Sequence, residues 1–165
     1  MKMQQIDELM IRTTEFFRGD GKRIQHFMKV RGFAALIAEG EGVDEATRFT
    51  LEAAALVHDI GIKASQEKYG SSAGPFQEKE GAPLAKQMLR SLGFPQDVTA
   101  RVAYLVGHHH TYSCIDGIDY QILVEADFLV NLFEHGDAMN AVRAVREKIF
   151  RTATGKKILD EMFGC

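Results

Sequence analysis

The chain has 165 residues, 45% hydrophobic and 26% charged, which supplies one domain with a sizeable core. A net charge of −3 provides no basic footprint for nonspecific nucleic-acid binding, so no specific nucleic acid is expected as a partner. Cys114 and Cys165 make no disulfide framework, the N-terminal stretch lacks the apolar core of a signal peptide, and no apolar run approaches ~18 residues; a cytoplasmic protein without a membrane partner is expected.

Apolar residues recur at helical spacing and no stretch alternates as a strand does. This predicts an all-α fold, a compact helical bundle forming a single domain over residues 1–165. The first helix, residues 3–17, puts Ile6, Leu9, Met10, Thr13 and Phe17 on one stripe. Arg18-Gly19-Asp20-Gly21 is a turn in which Asp20 caps the next helix. That second helix, about Lys22 to Glu39, carries His26, Val30, Phe33 and Ile37 on its apolar face, with Arg23 beside His26. A lone histidine there is usually a satisfied core residue, so His26 acquires meaning only through its partners.

After a loop at residues 40–44, with Asp44 as a cap, the third helix runs into Leu-Glu-Ala-Ala-Ala-Leu-Val-His-Asp-Ile-Gly-Ile-Lys, residues 51–63. His58 falls four and seven residues after Ala54 and Leu51, on the apolar stripe, and Asp59 follows beside it. Two readings stay open here. Either His58 favours the helix dipole and Asp59 sits in a loop, or both aim at one cation. Gly61 is read as the helix stop.

Residues 62–77, with Gly70, Ser71, Ser72, Gly74 and Pro75, are predicted to be irregular, a lid or binding loop. Its Lys63 and Lys68 either meet an anionic substrate or are simply solvated. A fourth helix is predicted from Glu78 to Leu92, with Glu80 near its positive end. The fifth opens at Pro95 and Asp97 and carries Val98, Val102, Leu105 and Val106 into His108-His109-His110. Helical spacing places His109 on the stripe, His108 one step round and His110 elsewhere. Three consecutive histidines point to metal or proton chemistry, against an exposed imidazole cluster at a helix end. The sixth helix, residues 120–131, sets Asp127 among Leu123, Val124 and Val130 with no basic residue within one turn. Burying that charge uncompensated would cost several kcal/mol, and a cation is the simplest compensation. Two helices, about 138–152 and 155–163, close the chain as packing elements.

His26, His58, Asp59 and Asp127 thus arrive from three inward-facing helices. Two imidazoles and two carboxylates suit Mn²⁺, Fe, Co²⁺, Ni²⁺ or Zn²⁺, and Mg²⁺ less well. Arg23-x-x-His26-x-x-x-Val30, His58-Asp59-Ile60-Gly61, His108-His109 and Glu125-Ala126-Asp127, in that order, resemble the HD-domain metal-dependent phosphohydrolases, HDIG-type subset, over residues 20–135. The resemblance implies an all-α fold with a metal site in the helical core, residues 1–19 and 136–165 packing around it. It implies one metal on His26, His58, Asp59 and Asp127. In two-metal members Asp59 would bridge, and His108 and His109 would help hold the second ion.

Binuclear members commonly carry another histidine before the Gly81-Ala82 pair, where this chain has Gln77-Glu78-Lys79-Glu80; Glu80 is the candidate substitute. One tight ion and a second, weaker one are therefore expected. Arg23 and Lys63 are candidate phosphate contacts, and His108 and Lys63 join Asp59 as candidates for the catalytic step. The Gly-Tyr-Pro pattern of cyclic-di-GMP-degrading members is absent, as are the acidic pair of the guanosine tetraphosphate hydrolases and the fuller dNTP triphosphohydrolase motif. A small phosphorylated molecule, a nucleotide or phosphomonoester cleaved by a metal-activated water, remains as the expected substrate. The alternatives are a non-catalytic module binding metal or nucleotide, and a di-iron oxygenase of the same fold. A homodimer stays open as the assembly.

Overall fold

The computed structural model describes residues 4–165, which form nine α-helices and no strand. They are α1 (Gln5–Phe16), α2 (Gly21–Gly40), α3 (Glu45–Val57), α4 (Ile62–Tyr69), α5 (Gly74–Ser91), α6 (Gln96–Val106), α7 (Ile118–His135), α8 (Met139–Lys148) and α9 (Ala153–Phe163). The start expected at Met3 lies outside the described residues. No described helix is long and apolar enough to cross a membrane.

The architecture is built around α3. Its run Ala53-Ala54-Ala55-Leu56-Val57 is buried on every side, as expected for a helix at the centre of a bundle. Small alanines let neighbouring backbones approach closely, and α1, α2, α6 and α7 all pack against α3. α2 also packs on α7, and α5 lies between α4 and α6. The caps read from sequence hold. Asp20 accepts from the Arg23 amide (3.1 Å) and Asp44 from that of Thr47 (2.9 Å).

The structure corrects the predicted irregular stretch at residues 62–77. Residues Ile62–Tyr69 form α4, and α5 begins at Gly74, four residues before its predicted start. A helix as short as α4 is not stable on its own propensity, and it is held by α5. Tyr69 donates to Glu80 (2.8 Å), Lys68 donates to the same carboxylate (3.0 Å), and the Tyr69 ring stacks on Phe76 at 4.5 Å. Gly70, at φ +64°, ends α4 in the left-handed conformation that glycine favours.

Gly61 has a different purpose from the stop signal read in the sequence. Its φ of −82° is open to any residue. A Cβ there would collide with the Gln77 carbonyl oxygen and come within 2.6 Å of the Gly81 amide nitrogen. A Cβ on Gly81 would in turn meet Val106 at 2.9 Å. Two bare backbones thus bring the turn after α3, the first half of α5 and the end of α6 into direct contact. Overpacking this junction should cost about 1–3 kcal/mol or more, so Gly61→Ala lowers the urea midpoint. Gly32→Ala, on an open face of α2, should instead gain about 0.5–1 kcal/mol. Equal effects from the two alanines would show that the close approach carries no weight.

Candidate metal centre

The centre forms where α2, the turn after α3, and α7 converge. His26, His58, Asp59 and Asp127 are all buried, with none more than 6% exposed. His26 Nε2 lies 3.2 Å from His58 Nε2, and Asp127 Oδ1 lies 3.2 Å and 3.3 Å from those two nitrogens. Asp59 Oδ2 lies 3.2 Å from His26 Nε2 and 3.4 Å from His58 Nε2. The four residues expected from the sequence are therefore brought together.

The outward nitrogens show which way each imidazole faces. His58 Nδ1 is 2.7 Å from the Ala55 carbonyl and His109 Nδ1 is 2.8 Å from the Val106 carbonyl. A carbonyl can only accept, so both Nδ1 atoms carry a proton and both Nε2 atoms are turned inward, where a bound cation would take their lone pairs. His26 Nδ1 is held in the same way by Glu134 Oε2 at 3.1 Å. Two imidazole nitrogens facing each other across 3.2 Å, flanked by two carboxylates, need a proton or a cation between them. His109 Nε2, 3.6 Å from Asp59 Oδ1, is buried without any hydrogen-bond partner. This donor set fits a transition-metal ion bound through imidazole nitrogen and carboxylate oxygen.

The electrostatics make the same demand. Burial opposes a charge on His26, but contacts with Asp127 and Asp59 outweigh it and lift the imidazole to about 9. Burial would push the carboxyls of Asp59 and Asp127 up, yet His58 and the other imidazoles hold both far below the usual carboxylate range. Burial, then the neighbouring His109, pushes His110 down to about 4, leaving it a neutral donor near pH 7.

A second group shares Asp59. Donor atoms of Asp59, His109 and His110 lie within 4.8 Å of one another. His110, expected to point elsewhere, thus stands where His108 was expected. α6 ends at Val106, so helical spacing no longer governs the three histidines. His108 turns outward instead. Its ring stacks on Tyr104 at 4.1 Å and its Nδ1 donates to the Tyr104 carbonyl (2.7 Å). Glu78 pins this turn by accepting from the His110 amide (2.9 Å) and the Thr111 hydroxyl (3.1 Å). The Tyr120 hydroxyl closes it through the carbonyls of His108 and Thr111. Glu80, the candidate substitute ligand, is instead committed to Lys68 and Tyr69. Gln77 stands beside the second group, its Oε1 3.3 Å from His110 Nε2.

Two residues escaped the sequence reading. Asn131 donates to Asp127 (3.0 Å), and Glu134 holds His26. Asp127, Asn131 and Glu134 are spaced by four and three, so the helical face that carries Asp127 inward was a usable signal for both. Arg23, expected as a phosphate contact, donates from Nη1 to Asp59 Oδ2 at 2.5 Å. Asp59 therefore has a resident cation beside it. Arg23 also lines, with Arg18 and Lys63, a cleft of about 590 Å³ whose wall includes Phe16 and Phe17.

An all-helical bundle enclosing a buried histidine–carboxylate centre defines a class of helical metal-binding domains. The HD domain family model matches residues 23–151, and the chain belongs to that family. Its members bind divalent metals, and the cluster around Asp59 could hold one. The chain is also similar to a predicted HD superfamily hydrolase from an uncultured Thermotogales bacterium, known from a crystal structure. The two share 25% identity with a TM-score of 0.68, over 96% of this chain and 84% of the other. No curated protein matches the sequence.

Asp59 Oδ2 faces both the imidazole pair and the Arg23 guanidinium, so an ion arriving at that oxygen meets a fixed positive charge. Removing the charge should therefore tighten metal binding. Arg23→Ala is expected to bind Mn²⁺ about tenfold more tightly than the native protein, read by calorimetry. Unchanged or weaker binding would mean that Arg23 serves to hold Asp59 in place.

Proposed function

We propose that this protein is a metal-dependent phosphohydrolase that cleaves a small phosphoester, a nucleotide or a phosphomonoester. One observation carries the reading: imidazole nitrogens and carboxylates converge in a buried space beside a cleft bearing Arg18, Arg23 and Lys63. The likeness to a predicted HD superfamily hydrolase supports the reaction class.

His26, His58, Asp59 and Asp127 would hold the principal ion. When bound, the metal supplies Lewis acidity and lowers the pKa of a coordinated water. The chain's own residues do the remaining work. Arg23 and Lys63, which line one cleft, would receive the anionic oxygens of a phosphate, and Phe16 and Phe17 would offer an apolar wall to the organic part of the substrate. Near-complete burial of His58 and His109 keeps bulk water from the donor nitrogens. His108, stacked on Tyr104, is left without a part in this arrangement.

Phosphate release from a broad phosphoester panel should require added Mn²⁺, Co²⁺ or Ni²⁺ and stop on chelation. Asp59→Ala should abolish both metal content and turnover, and Lys63→Ala should raise KM. Metal-bound protein that turns over no phosphoester would leave a binding module. Oxygen consumption with two irons bound would identify the oxygenase chemistry instead.

Asp59, His109 and His110 would take a second ion more weakly, because this group has three protein donors and His110 already meets Gln77. Calorimetric titration with Mn²⁺ should show two unequal sites. His109→Ala should erase the weaker one and spare the tighter. Two equally tight ions would overturn this order.

A further inference from the structure

The groove between α5 and α6 contains a cavity of about 380 Å³ lined by Lys86, Arg90, Phe94, Gln96, Thr99 and Ala100. Two cations line it and no carboxylate does. Thr99 is 2% exposed, and its hydroxyl is buried without a hydrogen-bond partner. An unpaired buried hydroxyl is costly, and a ligand oxygen is the natural group to complete it.

The backbone nearby is also unsatisfied. Helix α6 begins after Pro95 with no side-chain cap, and the amides of Gln96, Asp97 and Val98 make no hydrogen bond among the described residues. Such an N-terminus attracts negative charge. Asp97, the one acid of this first turn, lines a different cavity with Thr47, Thr50 and Arg101, so its charge is directed away from Lys86 and Arg90. Arg90 lies twelve residues beyond Glu78, or about 18 Å along α5, so the cavity is well separated from the metal centre.

We propose that this cavity is a second binding site, for the phosphate group of free phosphate or of a small phosphomonoester. Lys86 and Arg90 supply the charge, the α6 amides donate to the phosphate oxygens, and the Thr99 hydroxyl gains the partner it lacks. The cavity holds more than a bare phosphate, which leaves room for a small organic substituent. The site does not depend on the proposed activity, because none of its residues belongs to the centre around Asp59.

The full-length, metal-loaded protein should be titrated with inorganic phosphate and, separately, with glycerol phosphate while its amide resonances are followed by NMR. Saturable shifts are expected at residues 96–99, read apart from any shift at residues 60–63 beside the metal centre. The doubly substituted Lys86→Ala, Arg90→Ala protein should bind at least about tenfold more weakly. Both positions are exposed, so the fold is expected to survive, and an unchanged melting temperature checks this. Tighter binding of glycerol phosphate assigns the site to a phosphorylated metabolite, and equal binding assigns it to phosphate itself. No saturable shift at residues 96–99, or equal affinity in the doubly substituted protein, overturns the proposal.

Discussion

Two histidine nitrogens stand 3.2 Å apart in a buried space, each with its other nitrogen already committed outward. Two carboxylates close the same space. Charges buried in this way cost several kcal/mol each unless something of opposite sign joins them. The surrounding structure is consistent with that demand. Helix α2, the turn after α3 and helix α7 deliver the donors from three directions, and backbone carbonyls or Glu134 fix the imidazole orientations. The alanines of α3 allow the three backbones to come close enough for donors on different helices to share one ion.

A second constraint locks this centre to the rest of the molecule. Gly61 follows the His58-Asp59 pair almost at once, and its backbone lies against Gly81 without an intervening side chain. Gly81 meets Val106, the last residue of α6, so the turn carrying His109 and His110 is held at a set distance from Asp59. Glu78 and Tyr120 then secure that turn from two sides. A rigid junction of this kind suits a centre whose donors must hold their geometry to fractions of an ångström.

Arg23 links the centre to the cleft beside it. In this structure its guanidinium balances Asp59, and it also forms part of the wall that carries Lys63 and Arg18. A planar guanidinium can serve either carboxylate or phosphate with the same geometry. A phosphate bound in the cleft, as proposed, would share Arg23 with Asp59.

The sequence by itself determined what helical repetition controls. Spacing by three and four residues predicts an all-α chain and turns His26, His58 and Asp127 inward, because that periodicity is local and holds wherever a helix persists. Tertiary structure decided what happens where helices stop or touch. His110 replaces His108 beside Asp59 because α6 ends at Val106 and the following turn obeys Glu78 and Tyr120 instead of a helical repeat. Stretch 62–69 becomes helical because α5 supplies the packing that eight residues lack, and the same contact draws Glu80 away from the metal centre. Arg23 reaches Asp59 across thirty-six positions of sequence, a pairing no local pattern encodes. Such contacts depend on which helices become neighbours, and that is settled by packing across the whole core.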